Sequence, residues 1–209
     1  MLSNIKNTYG KEYDTYQKYY QKTMQLILVV GLLTALLAFG VAFYFEEFII
    51  EQATTIAEQI QSDSSEQNHE SQFMSTFSNN IWIGAVIIIC GLIPIFGIPV
   101  LYALLSFAAV GIIAGYGMIM EYDVLKTILV SFVPHAIFEI IPILYSVAIG
   151  MYVNRNIMSK LFFKRRTSEP LRKMVVQSLV GYLIVVIPVF FVAALIESFV
   201  TTRLIDVFL

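Results

Sequence analysis

Five long apolar runs constrain this chain more than any other feature of its sequence. They occupy residues 24–45, 81–96, 98–120, 124–153 and 174–196. An α-helix rises about 1.5 Å per residue, so about 20 apolar residues cross the ~30 Å hydrocarbon core of a bilayer. Charged residues make up only 13% of the chain, whereas soluble domains carry about 25%. The sequence therefore predicts an all-α, polytopic transmembrane helix bundle of about five spans rather than a soluble enzyme.

The second and fourth runs have unusual lengths. The second run, residues 81–96, is short for a span, although residues 73–80 could extend it. The fourth run, residues 124–153, would be about 45 Å long as a straight helix, which is too long unless the helix tilts or breaks. It contains Pro134 and Pro142, and proline removes a helical hydrogen bond. We therefore expect the fourth segment to be broken at Pro134 and Pro142, with one net crossing.

Basic residues are distributed very unevenly along the chain. Eleven of the 13 lie before the first run or between the fourth and fifth: Lys6, Lys11, Lys18, Lys22, Arg155, Lys160, Lys164, Arg165, Arg166, Arg172 and Lys173. Residues 46–80 contain none, but include seven acidic residues. Positive residues stay on the cytoplasmic side. We therefore expect a cytoplasmic segment at residues 1–23 and a single transmembrane domain at residues 24–209, with an outer acidic loop at 46–80, an inner basic loop at 154–173 and an extracytoplasmic C-terminus.

The sequence VPHAIFEIIP at residues 133–142 is unusually polar for a membrane span. His135 and Glu139 are four residues apart, so they share one face of a helix. Pro134 and Pro142 each leave the carbonyl four residues earlier without its usual donor. Hydrocarbon cannot satisfy such a carbonyl, so it must face protein or water. This stretch is therefore predicted to form a polar site inside the bundle.

Three roles are open for His135 and Glu139. The pair could hold the bundle together through hydrogen bonds, or it could bind a ligand, a proton or an ion, as intramembrane ionisable groups often do. Catalysis is the weakest interpretation, because the chain has no HExxH motif, no second intramembrane histidine and no recognisable nucleophile. No catalytic residue, metal site or cofactor is predicted, and no nucleic-acid binding. Asn79 and Asn80 begin the second run, where they could cap a helix or contact the His135 region.

Small residues indicate where the spans pack closely. The sequence GIIAG puts Gly111 and Gly115 four residues apart, and this spacing lets two helices approach each other. Gly84 and Gly91 lie in the second run and are assigned to the same kind of helix packing. These positions predict contacts between spans, either within this chain or with a second copy of it.

Three stretches resemble the stage II sporulation protein M family of integral membrane proteins. They are FSNNIWIGAVIIICG, AAVGIIAGYG and VPHAIFEIIPILYSVAIG, and the similarity covers roughly residues 73–153. Pro134, His135, Glu139 and Gly150 match the pattern of the family. Two departures are present: Ala136 stands where glycine is usual, and Pro142 falls one residue later than expected.

The resemblance implies a non-enzymatic scaffold in a bacterial cell membrane. The sporulation member works with cell-wall hydrolases, and other relatives are associated with bacteriocin export or with transporter subunits. The implied partners are the lipid bilayer and other membrane or envelope proteins, and a homo-oligomer of the chain is also open. The alternative is a transport component that moves a peptide such as a bacteriocin, an ion or a proton through a polar site at His135 and Glu139.

Overall fold

The chain is built from long helices. A computed structural model describes residues 2–51, 69–120, 123, 126, 129–130, 133–162 and 170–208. The α-helices are Leu2–Thr15, Gln21–Tyr44, His69–Cys90, Ile98–Ile119, Val133–Leu161, Leu171–Gly181, Ile187–Leu195 and Thr202–Phe208. Short π-helical segments at Tyr16–Tyr20, Tyr182–Val186 and Ile196–Thr201 connect some of them. Residues 46–51 are also helical.

Within the described residues, five helices are long and apolar enough to cross a membrane. They are Lys6–Tyr44, His69–Cys90, Ile98–Ile119, Ala136–Leu161 and Leu171–Ile205, and we call them the first to the fifth span. The predicted all-α bundle of about five spans is thereby confirmed.

The second span begins and ends earlier than residues 81–96. Its helix runs from His69 to Cys90, so the polar residues before the apolar run belong to it. A tight turn follows at residues 91–97. Pro94 has no N–H to continue a helix, and Gly97 has a positive φ of 86°, which glycine adopts without steric cost. These two residues explain why the helix stops before the apolar run does.

The helix of the fourth span is continuous from Val133 to Leu161 and contains Pro142. The expected break at Pro142 is therefore wrong. Neighbouring helices and serine side chains make proline tolerable within a span, and here Ser146 Oγ donates to the Pro142 carbonyl at 2.8 Å. Pro134 is the second residue of the helix, where a missing N–H costs nothing. The helix also extends into residues 154–161, which the sequence assigned to the inner basic loop.

The fourth span is the centre of the bundle. In its most apolar window 67% of the residues are buried, against 17–28% in the other four spans. One core cluster joins residues of the fourth span to residues of the first and fifth spans. Its members are Tyr20, Tyr145, Ala148, Ile149, Tyr152, Val153, Met174, Val186 and Phe190. A second cluster consists of Ile27, Ile87, Ala103, Phe107, Leu144, Val147 and Met151. A helix that is apolar on all sides is buried in this way, with other helices between it and the lipid.

The two ends of the bundle differ in chemistry. At one end, Asn154 Nδ2 donates to the carbonyls of Ile93 at 2.7 Å and Ile95 at 3.1 Å. We call this the basic end, because Arg155 directly follows Asn154 and Arg172 lies at the start of the fifth span. At the other end of the second span, His69 Nδ1 lies 3.0 Å from the Ser198 carbonyl oxygen. We call this the acidic end, because Glu70 follows His69 and Glu197 precedes Ser198 in the chain.

Candidate functional site

Three spans bring polar side chains together towards the acidic end. Asn80 of the second span interacts with the carboxyl group of Glu139 of the fourth span. Glu197 of the fifth span is close enough to act electrostatically on Glu139. Thr76 Oγ1 donates to Glu197 Oε1 at 3.4 Å. We call Thr76, Asn80, Glu139 and Glu197 the carboxyl cluster.

Two buried polar atoms at this site have no hydrogen bond within the described part of the chain. Asn80 is 3% exposed, and its Nδ2 meets no acceptor with good hydrogen-bond geometry, although its side chain interacts with Glu139. Ser198 is fully buried, and its Oγ is likewise unpaired. An unsatisfied buried polar group costs roughly 1–3 kcal/mol. Asn80 Nδ2 can donate to a further acceptor, and Ser198 Oγ can donate or accept, so the site can take a further polar group more readily than a saturated network could.

The local backbone explains how Glu197 and Ser198 reach the site. Both belong to the π-helical segment Ile196–Thr201, and such single-turn insertions occur often at functional sites. The carbonyls of this turn have partners of their own. Thr202 Oγ1 lies 3.3 Å from the carbonyl oxygens of Glu197 and Ser198. These hydrogen bonds stabilise the backbone of the turn, and the turn places Glu197 close to the fourth span.

The structure brings only some of the predicted site residues together. Asn80 is buried against Glu139, whereas Asn79 is exposed. Pro142 is fully buried one turn after Glu139, and Pro134 is half-buried at the start of the helix. His135 is one turn before Glu139 in the same helix, but its side chain lies outside the described part of the structure.

The glycines assigned to packing lie at close helix contacts. A Cβ built on Gly111 would be 2.9 Å from the carbonyl carbon of Ala35, and one on Gly115 would be 2.6 Å from Ala42 Cβ. These contacts join the third span to the first. A Cβ on Gly84 would be 3.0 Å from Phe190 Cε2 of the fifth span, and one on Gly91 would be 2.8 Å from Gly150 Cα.

Sequence reasoning missed a second buried acid, Glu12. It is 4% exposed, and Tyr145 donates to its Oε1 at 2.8 Å. Gln177 Nε2 donates to Thr15 Oγ1 at 2.6 Å on the same side. The N-terminal helix thus packs on the fourth and fifth spans. The tyrosines at helical spacing in residues 9–20 were the available signal, since Tyr20 contacts Tyr145 with ring centroids 5.4 Å apart.

Glu197 was also missed, because the fifth apolar run was taken to end at Ile196. The carboxyl cluster can hydrogen-bond, exchange protons and attract a cation. It provides two acids from two spans. Among the described residues, no group of three histidine, cysteine, aspartate or glutamate side chains could hold a metal ion.

Comparison with known protein families identifies the architecture. Residues 24–202 match the sequence model of the family described as stage II sporulation protein M. The chain belongs to the stage II sporulation protein M family. The match covers all five spans in part or in full, and so extends beyond the motifs at residues 73–153. Comparison with curated proteins and with solved structures gives no match.

Proposed function

We propose that this family member is a non-enzymatic membrane scaffold that assembles with other membrane or envelope proteins. The observation that carries the proposal is the carboxyl cluster, in which Asn80 interacts with Glu139 and Glu197 acts electrostatically on Glu139 from a third span. Intramembrane ionisable groups are costly and usually serve a function. Here they act between helices, which suits a site that couples the arrangement of the bundle to a bound partner.

The proposal includes an orientation in the bacterial cell membrane. The N-terminus is cytoplasmic and the C-terminus is outside, because the basic residues cluster before the first span and between the fourth and fifth spans. The acidic segment at 46–80 would then meet extracytoplasmic partners, and the basic segment would face the cytoplasmic leaflet.

Affinity purification from native membranes in mild detergent tests the scaffold. We would compare the wild type with Glu139→Gln and His135→Ala, and use Glu70→Gln as a matched control. Glu70 is an exposed acid at the start of the second span, outside the carboxyl cluster. We expect a stoichiometric partner in the wild type and the control, and its loss in Glu139→Gln. Recovery of the chain alone in all four samples would contradict the scaffold.

The second candidate function is transport of a proton, a cation or a small peptide. The specific observation in its favour is that two acids from two spans, Glu139 and Glu197, are close enough to interact electrostatically. Purified wild type in liposomes would then carry a proton or cation flux. The double variant Glu139→Gln/Glu197→Gln would abolish it. Silent wild-type liposomes, together with a captured partner, would leave only the scaffold.

A further inference from the structure

A groove at the basic end separates the N-terminal helix from the start of the fifth span. Its volume is about 930 Å³. Residues 8–19 line one wall, and residues between Pro170 and Val180 line the other. The bond from Gln177 Nε2 to Thr15 Oγ1 ties the two walls together. The groove is therefore a built feature of the packed chain and not a gap between independent helices.

Both walls of this groove carry basic residues. Lys11 and Lys18 lie on the N-terminal helix, and Arg172 and Lys173 lie on the fifth span. The N-terminal helix also contributes Glu12 and Asp14, but the carboxyl group of Glu12 is buried and bonded to Tyr145. The lining thus holds four bases and two acids, and one of the acids is buried and bonded to Tyr145. The lining favours an anionic group over a neutral or cationic one.

The groove is continuous with an apolar surface. Val176 and Val180 line it together with the bases, and Val176 is 52% exposed. The next turn exposes Leu179, which is 54% exposed. A ligand with a phosphate in the groove could therefore lay an alkyl chain along the fifth span. Free phosphate would use only the basic part of this surface.

We propose that this groove binds the headgroup phosphate of an anionic phospholipid, with its acyl chains against the fifth span. Basic pockets between helices on the cytoplasmic side bind such headgroups. Arginine suits phosphate because its planar guanidinium can donate two parallel hydrogen bonds. The groove would fix the angle between the N-terminal helix and the fifth span. The proposal does not depend on the scaffold, since it concerns the opposite end of the bundle from the carboxyl cluster.

Native mass spectrometry of the purified full chain tests the groove. Phosphatidylglycerol, phosphatidylcholine and inorganic phosphate would be titrated separately onto the protein. We expect phosphatidylglycerol to bind more tightly than phosphatidylcholine. The pair Lys11→Gln/Arg172→Gln should weaken phosphatidylglycerol binding about 30-fold, from the effect of two bases at a membrane surface. The control pair Lys22→Gln/Lys160→Gln removes the same charge outside the groove lining and should bind like the wild type.

Several outcomes would overturn the proposal. Equal binding of both lipids would show that the groove does not select an anionic headgroup. An equal loss of phosphatidylglycerol binding in the control pair would show a general attraction to the basic surface. Displacement of the lipid by inorganic phosphate at matched concentration would identify a soluble-phosphate site. If the groove pair does not fold, a salt titration of the wild type decides the matter. Binding that is insensitive to salt would also contradict the headgroup assignment.

Discussion

Gly91 and Gly150 meet where the second and fourth spans come together at the basic end. A Cβ built on Gly91 would lie 2.8 Å from Gly150 Cα and 2.9 Å from the Gly150 carbonyl carbon. Backbone cannot move aside as a flexible side chain can. The contact thus requires glycine at position 91 for reasons of space.

We expect Gly91→Ala to destabilise the folded protein by about 1–3 kcal/mol, as overpacking does. Thermal unfolding in detergent would measure the change. Gly40→Ala is a matched control, because nothing lies within 4 Å of a Cβ built there. That change should be neutral or stabilising by up to about 1 kcal/mol, since alanine favours a helix over glycine. Equal effects of the two changes would show that the close contact does not limit packing.

Asn154 provides a second test of the basic end. Its Nδ2 reaches the carbonyls of Gly91, Ile93 and Ile95, and its side chain is fully buried. Asn154→Ala would leave these carbonyls without that donor, which we expect to cost about 1–3 kcal/mol of stability. Asn156→Ala is the control, because Asn156 Nδ2 donates to the carbonyl of Tyr152 one turn earlier in the same helix. Denaturation of both variants in detergent should show the larger loss in Asn154→Ala.

The spans were predictable because a helix that crosses a membrane can be recognised by its length and its hydropathy. Their order and number needed only the apolar runs. The ends were less predictable. The second span includes His69 and the polar residues that follow it, and His69 and Thr76 contact the fifth span. The continuity of the helix at Pro142 could not be predicted from the sequence either. It depends on the bond from Ser146 and on packing against neighbouring helices, which the spacing of residues does not show.

The site could be predicted only in part, because hydropathy cannot tell a buried face from a lipid-facing one. Asn79 and Asn80 are adjacent and chemically identical, yet only Asn80 is buried. Glu139 stood out as an acid within an apolar run. Glu12 did not, because it lies among polar residues in the sequence. Its burial depends on contacts with Tyr145 and Gly181, which are more than 130 positions away.

The carboxyl cluster predicts that function and stability will separate at Glu139. Glu139→Gln keeps the size of the side chain and its ability to bond to Asn80, but removes an acid that interacts electrostatically with Glu197. We expect its stability in detergent to rise by about 1 kcal/mol, because a charge in a poorly solvated place is costly. Assembly or transport should fall at the same time, which is the usual trade-off at functional sites.

A double-mutant cycle examines this pair further. Glu139→Gln and Glu197→Gln should gain less together than the sum of the two single changes, because each removes the same repulsion. Strict additivity in thermal unfolding would mean that the two carboxyl groups do not interact.

The docking of the N-terminal helix depends on the bond from Tyr145 to Glu12. Tyr145→Phe removes the donor that lies 2.8 Å from Glu12 Oε1 and leaves a buried carboxyl group unpaired. Hydrogen bonds to charged groups contribute about 1.5–3 kcal/mol, so the N-terminal helix should detach more often. Limited trypsin digestion should then cut faster after Lys11 and Lys18. Tyr13→Phe is the control, since Tyr13 is exposed and its hydroxyl accepts a bond from Gln17 of the same stretch of chain. Equal digestion rates in the two variants would show that the N-terminal helix is held by its tyrosine packing alone.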